Sequence, residues 1–352
     1  MNARLLDLPP GRWPERLTEL GGRPFHGSSA ARWVFRRGTT DWRAMSDLPA
    51  DLRERLAIEE PLLTAEVTHT SEAGDGAVKV LLRYPDGASA EAVGMPGTSG
   101  RTLCISTQVG CPVQCAFCAS GIGGLERNLT SGEMLEQVLA LRAAQGDFHR
   151  LVVMGMGDAG FNLEPTLAAL DALIDEAGMG LGARRITLST VAPRGTLERI
   201  AAWGRPAALA LSLHAPDDAL RRRLIPGLAK RSLAETLDEA ERLFAATGRE
   251  YTAEYVLLRG VNDSVAQAQA LARLLQGRRC HVNLIPYNPV AGLGYSRPEL
   301  AAQQAFAETV RSARLSVTLR RSLGGAVDAA CGQLRRRTAV AARDNAPDSF
   351  DA

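Results

Sequence analysis

The sequence predicts an α/β protein whose main domain is a partial (β/α)6 barrel. Three observations carry that reading. From residue 102 onward, short apolar runs alternate with longer segments of helical spacing, the order that builds a parallel sheet with right-handed crossovers. Nearly every run ends in glycine or polar residues: Gly155-Met156-Gly157-Asp158, Ser189-Thr190, Ser212-Leu213-His214 and Asn288. The first run leads into a cysteine-rich loop, Cys111 to Cys118. Chemistry in such barrels sits at the carboxyl ends of the strands, so these groups are expected to converge on one mouth.

Taken in order, residues 1–60 read as a small helical accessory domain. Ala30 to Phe35 is apolar with flanking arginines, and Ser46-Asp47-Leu48-Pro49 leads into a short helix over Asp51–Leu56, with a proline near its start. Residues 61–96 read as a β linker element. Leu63–His69, Val78–Tyr84 and Ser89–Val93 alternate in the strand manner, with turns at Gly74-Asp75-Gly76 and Asp86-Gly87. The core domain spans 97–335. Its expected strands are Thr102–Thr107, Leu151–Met156, Arg185–Thr190, Ala207–Leu213, Tyr251–Leu258 and His281–Ile285, with a last one over Ser316–Arg321. Thr130 and Glu133 form a capping box. The helix behind it carries Met134, Leu135, Val138, Leu139 and Arg142 at helical spacing. Further helices are expected over 164–177, 195–203, 232–247, 264–276 and 299–313. A basic, then polar, tail occupies 336–352.

Composition fits a globular enzyme. Of 352 residues, 45% are hydrophobic and 23% charged, which are ordinary values. The formal net charge of +2 does not by itself indicate a nucleic-acid partner. The arginine clusters Arg36-Arg37, Arg221-Arg222-Arg223, Arg320-Arg321 and Arg335-Arg336-Arg337 each read first as solvated faces. Met1–Arg16 has no apolar signal segment, and no stretch is long enough to span a membrane. The expected compartment is therefore the reducing cytoplasm, where cysteines serve chemistry more than cross-linking.

The cysteine loop, Cys111-Pro112-Val113-Gln114-Cys115-Ala116-Phe117-Cys118, has the spacing C-x3-C-x2-C. A fully ligated four-iron cluster takes four cysteines. Three leave one iron open to a small molecule, the arrangement that a radical S-adenosylmethionine (SAM) enzyme needs. The amino and carboxylate groups of the methionine moiety then chelate the open iron. Phe117 is the aromatic residue usual in such loops. Zinc is the competing ligand, but it prefers four closed ligands, often as two separated pairs, and the chain has no second C-x2-C pair.

Thr102 through Cys111, Arg127-Asn128-Leu129-Thr130, Met154-Gly155-Met156-Gly157, Arg185 through Thr190, Ser212 through Pro216, Asn283 through Pro289, and Asp328 through Leu334 together resemble the motifs of one family, the RlmN/Cfr radical SAM RNA methyltransferases. The resemblance runs from about residue 20 to 335 and implies a radical SAM barrel with one [4Fe-4S] cluster on Cys111, Cys115 and Cys118. It also implies two SAM molecules per turnover. The expected activity is methylation of an adenosine ring carbon, at C2 in 23S rRNA and, for some members, in tRNA; the Cfr branch acts at C8. By family position, Cys331 carries the methyl group, Cys104 resolves a covalent protein–RNA adduct by forming a disulfide with Cys331, and Glu91 accepts the ring proton. Gly157, Asp158, Ser189, Ser212, Leu213, His214 and Asn288 match positions that line the SAM pocket. Cys280 reads as a core thiol. The expected partners are the RNA, an electron donor such as flavodoxin or ferredoxin, and no membrane; a monomer is expected. The chain departs from the family at Gly157-Asp158-Ala159, where Gly-Glu-Pro is usual. On the residues alone, two other readings stay open: a diverged radical SAM enzyme with another substrate, and a non-catalytic zinc or RNA-binding protein.

Overall fold

Large apolar side chains organise the first sixty residues. Trp13, Leu17, Val34, Phe35, Trp42, Leu52 and Leu56 are buried together between helices α1 (Trp13–Glu19), α2 (Pro24–Ala31) and α3 (Ala50–Glu59). The computed structural model describes residues 4–97, 99–320 and 324–334. The expected tail, Arg321 and the Arg335–Arg337 cluster lie outside them.

Carboxylates tie this helical unit and the segment after it to the main domain. The capping box at Thr130 and Glu133 starts α4 (Ser131–Gln145), with Glu133 N donating to Thr130 Oγ1 at 3.2 Å and Thr130 N to the Glu133 carboxylate at 2.9 Å. Asp7 accepts from Gly132 N, one of the unpaired donors of that helix start. Glu136, on the same helix, is buried and accepts from the backbone of Thr64 and Ala65.

Among the described residues, ten strands form one sheet. Strands β1 (Glu66–Glu72), β2 (Val78–Arg83) and β3 (Ser89–Met95) pair antiparallel, and β3 pairs antiparallel with β4 (Thr102–Cys104). The three strands expected as a linker element are therefore continuous with the main sheet. A small hairpin of β5 (Gln108–Gly110) and β6 (Leu125–Asn128) brackets the cysteine loop. The expected strand over 102–107 ends at Cys104, because the chain turns into this hairpin, with Thr107 N donating to Met156 O.

From β4 the sheet runs parallel through β7 (Arg150–Val153), β8 (Ile186–Thr190), β9 (Ala208–Ser212), β10 (Tyr251–Leu257), β11 (Cys280–Pro286) and β12 (Ser316–Leu319). Helices α5 (Leu163–Ile174), α6 (Thr196–Trp203), α7 (Asp218–Leu224), α8 (Leu233–Thr247), α9 (Val265–Leu275) and α10 (Leu300–Ser312) fill the crossovers. Ser232 and Ser264 cap α8 and α9 with boxes of the same kind as that at Thr130. The radical SAM fold expected from the sequence, an α/β sheet with a helical amino-terminal region, is the fold observed. Among the described residues, no helix is long and apolar enough to cross a membrane.

Candidate active site

The strand ends converge as the glycine and polar residues indicate. They line one cavity of about 160 Å³. Cys111, Cys115 and Cys118 form one wall. Their loop is held by backbone bonds that do not involve the thiols: Cys111 N to Gly124 O (3.1 Å), Ala116 N to Leu224 O (2.9 Å) and Gly227 N to Val113 O (2.9 Å). Gly227 has to be glycine, since a Cβ there would lie 2.6 Å from the Cα of Val113. Phe117 meets the His214 ring edge to face, 5.1 Å between centroids. Among the described residues, no three histidine, cysteine or acidic side chains converge on a single metal ion. The donor set is three thiols on one side of an open cavity. That set fits a cluster with one iron left for a small molecule. Burial pushes all three thiols above the ordinary range, Cys111 to about 12.

The turn after β7 is shaped by close approach. Gly157 has φ +93°, and a Cβ there would meet Gln108 Cβ and Thr107 Oγ1 at 2.7 Å. Asp158 follows and lines the cavity. Its carboxylate is engaged by the protein: Oδ1 accepts from Thr190 Oγ1 (2.7 Å) and Gly160 N (2.8 Å), and Oδ2 accepts from Val191 N (2.7 Å). A carboxylate offers about four acceptor positions, so one remains for a ligand. Burial raises its pKa, against those three bonds. Asp158→Ala leaves the buried Val191 N and the half-buried Gly160 N without an acceptor. It is expected to lower the stability of the cofactor-free protein by about 1–3 kcal/mol, read from urea unfolding. An unchanged midpoint would show that this tie between the ends of β7 and β8 carries no stability.

Ser189, Ser212, His214 and Asn288 also line the cavity. His214 has φ +57°, and its Nδ1 accepts from Val256 N at 3.1 Å. Burial, and then the Arg221 guanidinium, push its pKa down to about 3, so the ring is neutral at physiological pH and its remaining nitrogen, Nε2, carries the proton. Asn288 Nδ2 donates to Cys331 O (3.0 Å), while its Oδ1 accepts from Arg297 (2.8 Å). It therefore tethers the turn that bears Cys331. Leu213 is different. Its side chain is fully buried in the apolar core and does not line the cavity; its backbone N–H donates to Glu254 O.

Both cysteines outside the cluster motif that were expected to act lie on the cavity wall. Cys104 is buried, and its thiol is pushed up to about 12, first by burial and then by the neighbouring Cys331. Cys331 keeps accessible surface facing the cavity. The protein packed around its thiol raises its pKa, and Arg320 partly offsets that. All six cysteines are free thiols. Cys280 begins β11 in the apolar core, away from the cavity.

Glu91 does not line the cavity. It is 1% exposed and pairs with Lys79 at 3.1 Å, and Lys79 also donates to Asp328 O (3.2 Å), three residues before Cys331. The carboxylate thus lies behind the wall, linked to the cysteine turn through a buried ammonium. Of the charged cavity residues, Glu254 was not expected from the sequence, and Arg320, expected in a solvated Arg320-Arg321 face, lines the cavity instead. Glu254 carried a visible signal, a lone carboxylate inside the apolar run Tyr251–Leu258.

Comparisons with known proteins agree with this geometry. Residues 105–272 match the model of the radical SAM superfamily, and residues 3–60 match that of the ribosomal RNA large subunit methyltransferase N-terminal domain. A "probable dual-specificity RNA methyltransferase RlmN" from Rhodopirellula baltica is 44% identical, covering 91% of this chain and 87% of its own. Its counterpart from Deinococcus deserti is 43% identical over 94% of this chain and 96% of its own. A crystal structure of a radical SAM methyltransferase from Sphaerobacter thermophilus superposes with a TM-score of 0.92 at 41% identity, covering 95% of this chain and 99% of that one.

Proposed function

The chain belongs to the RlmN family of radical SAM RNA methyltransferases, and from that premise we propose that it methylates C2 of adenosine in both 23S rRNA and tRNA by way of Cys331. It is an enzyme that uses SAM to methylate RNA. The observation that carries the finer reading is that Cys104 and Cys331 share one cavity with the three-cysteine loop. A general radical SAM enzyme has no use for either thiol. The pairing of rRNA with tRNA rests on the dual specificity in the names of the relatives.

Adenine C2 is not nucleophilic, so direct displacement on a methyl sulfonium fails there. When bound, a [4Fe-4S] cluster and two SAM molecules supply a methyl group and a 5′-deoxyadenosyl radical. Cys111, Cys115 and Cys118 would hold the cluster. Gly157, Asp158, Ser189, Ser212, His214 and Asn288 would hold SAM, Asp158 with its one open acceptor position toward the ammonium. Cys331 takes the methyl on Sγ and presents it to the base. Its turn is braced for this by Asn288 and by Ala119 N, which donates to Gly332 O at 2.8 Å. Glu91, paired with buried Lys79 behind the cavity wall, would receive the ring proton only through an intervening group. Cys104 would then attack Cys331 Sγ: an Sγ–Sγ bond forms, the bond from sulfur to the RNA-bound carbon breaks with its electron pair going to that carbon, and the proton lost by the Cys104 thiol ends, directly or by relay, on the carbon to complete the methyl group. An electron donor such as flavodoxin or ferredoxin would supply the electron for SAM cleavage, and the enzyme acts as a monomer in the cytoplasm.

The test is nucleoside mass spectrometry of rRNA and tRNA from a strain lacking this protein, complemented with wild type or with Cys331→Ala. Wild type is expected to restore 2-methyladenosine in both RNAs, and Cys331→Ala in neither. Restoration of 8-methyladenosine instead would overturn the position, and restoration in one RNA only would overturn the dual specificity.

A further inference from the structure

Glu254 is a cavity residue to which the chemistry above gives no task. It sits in β10 and is 5% exposed. In the sheet register it pairs with Ser212 on β9 and Asn283 on β11, and Asn283 pairs with Thr318 on β12, so polar residues of neighbouring strands lie in one row. Asn283 Nδ2 donates to Glu254 Oε2 at 2.7 Å. Among the described residues, none donates to Oε1, which retains accessible surface on the cavity side. The charged or titratable groups facing it are Arg320, from the segment after β12, and Cys331, from the cysteine turn. Ser212 and Asn283 do not titrate. A carboxylate removed from water is costly unless a cation meets it. Arg320 supplies part of that charge, and the open oxygen leaves room for a second cation.

We propose that Glu254 is a SAM-binding residue whose carboxylate faces the sulfonium, giving the cavity its preference for the cationic cofactor over the neutral thioether left after methyl transfer. The inference rests on the reading of this cavity as the SAM site. Glu254 and the Cys331 thiol lie close enough to influence one another electrostatically. Cys331 must meet the methyl carbon bonded to the sulfonium. A cation placed for that transfer therefore lies within reach of Glu254. The sulfonium has no N–H or O–H, so the carboxylate acts on it as a charge and needs no hydrogen-bond geometry. Burial pushes Glu254 up to about 7, against the Asn283 bond and Arg320. Its charge, and with it the preference, should therefore grow as pH rises through neutrality.

The experiment measures the affinities of SAM and S-adenosylhomocysteine for the anaerobically reconstituted full chain by equilibrium dialysis, at about pH 6 and about pH 8. Glu254→Gln keeps the shape and removes the charge. It is expected to weaken SAM roughly tenfold, a modest Coulomb loss in a partly screened cavity, and to leave S-adenosylhomocysteine within about twofold. Wild type should prefer SAM more strongly at the higher pH, and the variant should show no such change. Glu254→Asp, which keeps the charge, should keep the preference. Equal weakening of both ligands, or no weakening of either, overturns the proposal. Wild-type protein that binds neither ligand overturns the reading of the cavity and the proposal with it.

Discussion

A Cys115→Ala protein purified without oxygen is expected to lack iron–sulfur absorbance and to cleave no SAM. The cluster would have only three protein ligands, and all three thiols line one cavity. Losing one leaves two, too few for a cubane that needs four corners filled. The loop itself should survive. Its bonds to Gly124, Leu224 and Gly227 run through backbone, so circular dichroism should match wild type. Cys280→Ala is the matched control, a thiol removed from the core away from the cavity. It should keep both absorbance and cleavage while losing some stability, in the 0.5–3 kcal/mol range, roughly, of single core changes. Intact reductive cleavage in Cys115→Ala would contradict the assignment of the loop.

The sequence made the barrel legible because buried parallel strands are short apolar runs, and the runs from Leu151, Arg185, Ala207, Tyr251 and His281 all correspond to strands. Capping at Thr130 was equally readable, since the spacing of a hydroxyl and a carboxylate states the geometry. The hairpin of Gln108–Gly110 with Leu125–Asn128 was not, because three or four residues are too few to show a period. Nor was the joining of β3 to β4, since alternation fixes which face is buried but not which strand lies alongside.

Within the site, spacing pointed to the cysteine loop and strand ends pointed to the cavity. Side-chain engagement was hidden. Nothing local says that Asp158 already accepts three hydrogen bonds from Gly160, Thr190 and Val191, or that Leu213 turns into the core while Ser212 and His214 face inward. The Lys79–Glu91 pair joins strands β2 and β3, and its reach to Asp328 crosses 249 residues of sequence, so no motif could state it.

Replacing Cys104 should have the opposite outcome to replacing Cys331, although the two thiols share a wall. On the proposed mechanism Cys331 forms the bond to RNA, so its loss should stop the reaction before any adduct exists. Cys104 would act afterwards. Its replacement should leave methyl transfer and addition intact and remove the step proposed to free the RNA. Burial holds the Cys104 thiol at about 12, and the thiolate is the reactive form. Release by wild type therefore depends on a neighbouring group taking that proton, and no other thiol is expected to substitute. Were both residues merely structural, either change would lower stability and neither would trap RNA. The measurement is denaturing gel electrophoresis of each variant after co-expression with cellular RNA, with and without nuclease. A nuclease-sensitive shifted band is expected for Cys104→Ala, with no band for Cys331→Ala or for the double variant. A shifted band that persists without Cys331 would show that another residue carries the methyl group, and would contradict the mechanism.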